Sequence, residues 1–116
     1  MHDKRSKKRH QVRLQVEYRA RVDDPVKRGV TENISEGGMF IRSFVIVPAR
    51  TYMKIELTTP ENENVVVIGQ VRWVKRVAPA MARLGHQGGM GIRIRRFLSG
   101  MDRYLQLCRR LIERST

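Results

Sequence analysis

At 116 residues with 41% hydrophobic content, the chain can bury one core and is too short for two. Its 24 Lys and Arg outnumber 11 Asp and Glu, a net charge of +13, which points to a polyanionic partner: nucleic acid, a nucleotide or an acidic protein surface. No apolar run approaches the roughly 20 residues of a membrane helix, and no signal-peptide core follows the basic N-terminus, so a cytoplasmic protein without membrane insertion is expected.

The charge is uneven. Residues 1–28 carry ten Lys/Arg against four Asp/Glu, residues 72–116 eleven against two, and the stretch 29–71 three against five. Residues 1–11 hold almost nothing apolar after Met1 and cannot bury themselves, so they are expected to form a flexible basic arm able to order on binding. From Val12 the pattern changes. Val12, Leu14, Val16, Tyr18, Ala20 and Val22 alternate with polar residues, the period of a half-buried strand. Asp23-Asp24-Pro25 predicts a turn, and a second strand covers Lys27 to Glu32. It runs into Asn33-Ile34-Ser35-Glu36-Gly37-Gly38, a polar turn closed by glycine, after which Met39 to Arg42 reads as a third strand.

Beyond a break at Pro48-Ala49-Arg50, Tyr52 to Leu57 alternates as a fourth strand. The acidic turn at 60–64 leads to the fifth, Val65 to Val77, in which Gly69 predicts a bulge or bend. Residues 78–88 read as a loop and Met90 to Ile94 as the sixth strand. Ser99 has the character of an N-cap, with Asp102 favouring the helix start. Met101, Leu105, Cys108, Leu111 and Ile112 then recur at helical spacing within a helix over about 99–114. The sum is an all-β fold: a six-stranded antiparallel closed β-barrel over residues 12–116 with a C-terminal α-helix. Tyr18, Trp73 and Cys108 fall in apolar patterns and are expected in the core.

Nothing in the chain has the pattern of a catalytic centre. His2, His10 and His86 show no metal-ligand spacing with the single cysteine. The acidic residues form no recognisable acid–base pair, and no nucleophile triad or Walker-type loop is visible. A binding protein is expected rather than an enzyme, with neither metal nor cofactor.

Two features carry binding chemistry. The first is the arginine pair in Arg5-Ser6-Lys7-Lys8-Arg9, whose guanidinium forks can grip phosphate bidentately or lie flat on a base. That spacing alone is weak, since it recurs at Arg9/Arg13, Arg72/Arg76 and Arg110/Arg114. The second is Asn33-Ile34-Ser35-Glu36-Gly37-Gly38, which offers amide, hydroxyl and bare backbone N–H groups at close range. Any hairpin connection would draw on the same residue types. In their order and separation, however, the two resemble the PilZ domain, the bacterial receptor module for cyclic di-GMP. Gly69-Gln70-Val71-Arg72-Trp73 and Gly89-Met90-Gly91-Ile92 resemble the later strands of that family. The likeness spans essentially the whole chain, and the family's six-stranded antiparallel barrel with a C-terminal helix agrees with the count from patterning.

The resemblance implies roles. Arg5 and Arg9 would bind the phosphates and the Hoogsteen edge of guanine, a fork also used on DNA, and stack on the bases. Asn33 and Ser35 would contact guanine and phosphate from the barrel surface, and Gly38 would keep the turn open and tight. Lys4, Lys8 and Gly37 would add secondary contacts. Arg9/Arg13 fits the spacing too, but Arg13 lies within the alternating strand, whereas the family's pair precedes it. Asn33 stands where the family often has Asp, a better acceptor for guanine N–H groups. Ile94 stands where an aromatic is common. Lys4 occupies a position that influences how many ligands stack, and a basic residue there permits a stacked pair. The implied function is a receptor that orders its arm on cyclic di-GMP and signals to a downstream protein. Two other readings remain on the residues: a small basic barrel binding RNA or DNA, and a PilZ-like adaptor that binds protein without ligand. The first lacks the exposed aromatic series of single-strand binders.

Overall fold

In a computed structural model, which describes residues 10–114, the chain forms one antiparallel sheet that closes on itself. Its strands are β1 (His10–Gln11), β2 (Gln15–Arg19), β3 (Lys27–Ser35), β4 (Gly38–Ser43), β5 (Tyr52–Thr58), β6 (Asn64–Lys75) and β7 (Gly88–Ser99). Two helices, α1 (Pro79–Arg83) and α2 (Met101–Arg114), complete the described residues. Hydrogen bonding runs β3-β2-β5-β6-β7-β4, and β4 returns to β3, giving the expected six-stranded closed barrel with a C-terminal helix. The short β1 adds to β3, His10 opposite Ile34 and Gln11 opposite Asn33.

The alternation seen in the sequence decides which side chains fill the barrel. Leu14, Val16 and Tyr18 point inward from the first alternating run, and Met53, Ile55 and Leu57 from β5. Val65, Val67 and Val71 join them from β6, and Met90 and Ile92 from β7. Each such side chain contributes about 1.5–3 kcal/mol on burial. The ion pairs Glu17–Arg28, Glu32–Arg42, Glu63–Arg103 and Glu61–Arg110 are all solvent-exposed and are worth about 0–1 kcal/mol each. Apolar alternation therefore holds the barrel, and the surface charge is left for other work.

Several boundaries move for identifiable reasons. The first alternating run is interrupted before Gln15 because Thr31 enters the ladder with its side chain. Its hydroxyl accepts the Leu14 N–H at 2.8 Å and donates to the Val12 carbonyl at 2.6 Å, beside a register shift in β3 between Thr31 and Asn33. Ala20 and Val22 are exposed rather than inward, since the chain leaves the sheet after Arg19 into a turn closed by Asp24 and Arg21. The stretch expected as a turn at 33–38 is mostly strand: only Glu36-Gly37 separates Ser35 from its partner Gly38. The expected loop at 78–88 contains α1, and β7 extends through Ser99, which pairs with Val66. The residue preceding α2 is Gly100 (φ +81), whose carbonyl accepts the Tyr104 N–H; Ser99 does not cap it. Gly69 lies at a register shift, as anticipated. α2 packs Tyr104, Leu107 and Cys108 against the barrel.

Candidate functional site

Directly paired residues of neighbouring antiparallel strands share one face of a sheet. Ser35 pairs with Gly38, Gly38 with Arg93, and Arg93 with Gln70. In the next row, Gln11 pairs with Asn33, Asn33 with Phe40, Phe40 with Gly91, and Gly91 with Trp73. The residues between these rows, Ile34, Met39 and Ile92, point into the core. Both rows therefore lie on the outside of the barrel. Asn33 and Ser35 share that outer face with two residues distant in the chain, Trp73 and Arg93.

An open groove of about 440 Å³ runs over this face, lined by Ser35, Gly37, Gly38, Arg72, Trp73 and Arg93 among others. Trp73 stacks on Phe40 with ring centroids 5.1 Å apart and planes 26° from parallel, yet remains 47% exposed. Its indole lies over Gly91: a Cβ there would collide with Nε1 and Cε2. The expectation of a core tryptophan is thus overturned. Inward parity along β6 holds through Val71, then breaks at a register shift between Val71 and Trp73. Arg72 is the extra residue, and it turns the indole outward. Tyr18, by contrast, is in the core as expected, its hydroxyl bonded to Ser43 and the Val45 carbonyl.

The hairpin beneath the groove is clamped from behind. The hydroxyl of buried Tyr104 donates to the Ser35 carbonyl and lies 3.1 Å from that of Gly38. The Ile94 N–H donates to the Gly37 carbonyl at 2.8 Å. Ser35 is nearly covered, with its Oγ at 3.5 Å from the Gly38 carbonyl, and Asn33 is half-buried. A Cβ at Gly38 would overlap the Ile92 carbonyl, whereas one at Gly37 would meet nothing within 4 Å. Gly38 is thus demanded by the close approach of β7, and Gly37 is under no such pressure. Burial pushes the thiol of Cys108 up to about 11, with the Glu36 charge adding to the effect. Such a thiol is a packing group and not a nucleophile at neutral pH.

The sequence model described as the PilZ domain matches residues 3–105 of this chain. The chain belongs to the PilZ domain family. Among solved structures, the PilZ fold here is similar to the inhibitor of motility MotI/DgrA of Bacillus subtilis, at a TM-score of 0.74 and 18% identity. That alignment covers 93% of this chain and 51% of the other, so the chain spans about half the length of the B. subtilis protein. It is also similar to the PilZ domain of YcgR from Escherichia coli with c-di-GMP, at a TM-score of 0.59 and 18% identity, covering 97% of this chain and 95% of that one. No curated protein sequence matches the chain.

Of the residues that the PilZ motifs single out, Asn33, Ser35, Gly37 and Gly38 come together at the β3–β4 hairpin. Lys4, Arg5, Lys8 and Arg9 lie outside the described residues. Ile94 is half-buried at the edge of the groove. Among the described residues no group of three His, Cys, Asp or Glu is placed to hold a metal ion, and no helix is long and apolar enough to cross a membrane. Trp73 and Arg93 were not legible as site residues. The signal for Trp73 lay in the glycines at 89 and 91, which leave room for rings on the barrel's outer face.

Proposed function

We propose that this chain is a receptor for cyclic di-GMP that orders its N-terminal arm over the ligand and passes that state to a protein partner. One observation carries the reading: the strand register sets Asn33 and Ser35 on the same outer face as Trp73 and Arg93, beside the strand that ends the arm. Because His10 and Gln11 pair with Ile34 and Asn33, the arm is tethered next to the motif. Arg9 is one residue from that tether and Arg5 five, a reach of up to about 17 Å at full extension. Both guanidiniums can therefore come over the groove.

The chemistry suits a ligand with two phosphates and two guanines. Arg5 and Arg9 supply phosphate and Hoogsteen-edge contacts, with Lys4 and Lys8 as secondary cations. The amide of Asn33 and the hydroxyl of Ser35 lie on the ligand side of the barrel, Gly37 leaves the hairpin backbone approachable, and Gly38 keeps the hairpin tight against β7. Trp73 offers a π-face to a base, and Arg93 a further cation. Ordering the arm changes the surface seen by a partner. Support comes from membership of the PilZ family and from the likeness to a YcgR PilZ domain solved with c-di-GMP.

The test is calorimetric titration of the full chain with cyclic di-GMP, with GMP as control. A charged hydrogen bond is worth about 1.5–3 kcal/mol, so Arg9→Ala is expected to weaken binding about 10- to 150-fold. Absence of heat with folded protein at high ligand would overturn the receptor reading. An arm equally protected from proteolysis with and without ligand would overturn the ordering mechanism. A second reading, an RNA or DNA binder, draws on the exposed Trp73 beside Arg72 and Arg93. It requires affinity for oligonucleotides that falls steeply with salt.

A further inference from the structure

The groove described above occupies the flank built by β3, β4, β7 and β6. A second concavity lies on the other flank, across β2, β5 and β6. There Val22, Tyr52 and Ile68 line about 260 Å³ of open space beside Arg19, Arg21 and Lys54. The register accounts for this composition. Arg19 pairs with Lys54 and Lys54 with Ile68, so the three form one outer row. Tyr52 stands in the next outer row, and Val22 reaches over from the β2–β3 turn.

This surface sets exposed apolar side chains beside cations. Val22 is 87% exposed and Tyr52 54% exposed, and both line the concavity. Arg19 and Lys54 are like charges directly opposite across an antiparallel pair, an arrangement that repels. Among the described residues the side chains of Arg19, Arg21 and Lys54 form no ion pair; Asp24 accepts the Arg21 backbone N–H, and of Glu17 and Glu56 in the next outer row Glu17 is held by Arg28.

We infer that this groove docks a protein segment presenting an apolar side chain flanked by carboxylates. Such a segment covers Val22, Tyr52 and Ile68 and sets its carboxylates against the three cations around them, matching the groove in both shape and charge. A second copy of this chain carries a net charge of +13 and is repelled as a whole, and a bilayer has no single side chain to seat in a concave groove. The surface is distinct from the hairpin motif, so the inference stands independently of the dinucleotide reading.

The experiment is a nuclear magnetic resonance titration of the full chain with a short synthetic peptide carrying leucines among glutamates. A lysine-for-glutamate counterpart and phosphatidylglycerol vesicles form the comparison arms. The expected result is that the acidic peptide shifts the resonances of Val22, Tyr52 and Ile68. Arg21→Glu with Lys54→Glu should then weaken it about tenfold and transfer the preference to the basic peptide. Val22→Ser, at an exposed turn position, should weaken the acidic peptide without altering the melting temperature, which separates lost docking from lost folding. Shifts confined to other residues, or binding indifferent to the charge reversal, would overturn the inference. So would a response of these residues to vesicles and not to the peptide, or their burial by self-association in sedimentation.

Discussion

Gly91→Ala tests the outer face at its narrowest point. The new methyl group would collide with Nε1 and Cε2 of Trp73 and lie 2.7 Å from Cδ1, where carbon contacts ordinarily sit at about 3.5–4.0 Å. Phe40 beneath the indole is nearly buried and has no room to retreat, so the indole must lift by about 1 Å or more to restore that spacing. Lifting forfeits the stack on Phe40, about 0.5–1.5 kcal/mol. Replacing glycine in a strand returns about 0.5–1 kcal/mol. These nearly cancel, so the net stability change is within about 1 kcal/mol, at most about 8 °C in Tm for a domain of this size. Binding does not enjoy the same cancellation. A base stacked on an aromatic is worth about 1–3 kcal/mol, so cyclic di-GMP affinity should fall about 5- to 150-fold. Trp73 is the single tryptophan, and its emission reports directly: the maximum should move to longer wavelength in the variant as the indole enters water. An unchanged emission maximum would refute the placement of the indole over Gly91. A shifted maximum with unchanged affinity would refute Trp73 as a ligand platform.

The two adjacent glycines of the hairpin should behave oppositely. Gly38→Ala drives a methyl into the Ile92 carbonyl and should cost about 1–3 kcal/mol in chemical denaturation, whereas Gly37→Ala opens onto free space and should stay within about 0.5 kcal/mol. Tyr104→Phe keeps the ring packed near Phe97 but removes the hydroxyl from the Ser35 and Gly38 carbonyls. A loss of about 1 kcal/mol is expected, with faster amide exchange in the hairpin as the measured sign. Cys108 should resist thiol reagents in the native protein and react on unfolding in urea. Its ionisation is raised from 9.0 to about 11. The unfolded chain therefore binds fewer protons in that window, and the stabilisation, complete below about pH 9, is lost as pH rises toward about 11. Denaturation midpoints measured below and within the window should show a shallower alkaline decline in Cys108→Ala.

Particular residues mark where reading the chain sufficed for the site and where it did not. Asn33, Ser35 and Gly38 were singled out through the resemblance to the PilZ motifs, and being close in sequence they fall together at one hairpin. Their setting was not legible, because the hairpin is shorter than the polar run: Ser35 and Gly38 are already paired strand residues. Trp73 looked like core because it continues an apolar run. The register shift before it carries no strong residue signature, and one inserted residue reverses the facing of everything that follows. Arg93 was one arginine among eighteen, singled out only by lying opposite Gly38.

Local chemistry alone determined the six strands of the barrel (though not the short β1), the inward faces of β2 and β5, the terminal amphipathic helix and the uneven basic charge. Period-two burial and helical spacing are properties of neighbouring residues, and charge is a simple sum. Tertiary structure decided what those faces assemble. Closing β4 onto β3 and β7 laid Phe40 and Gly91 between Asn33 and Trp73. The shift at Arg72 turned an apolar residue into a surface platform, and the turn after Arg19 left Val22 outside the barrel beside Arg21. Each depends on which strand meets which, and in what register. That is a competition among long-range pairings, set by the packing of the whole core.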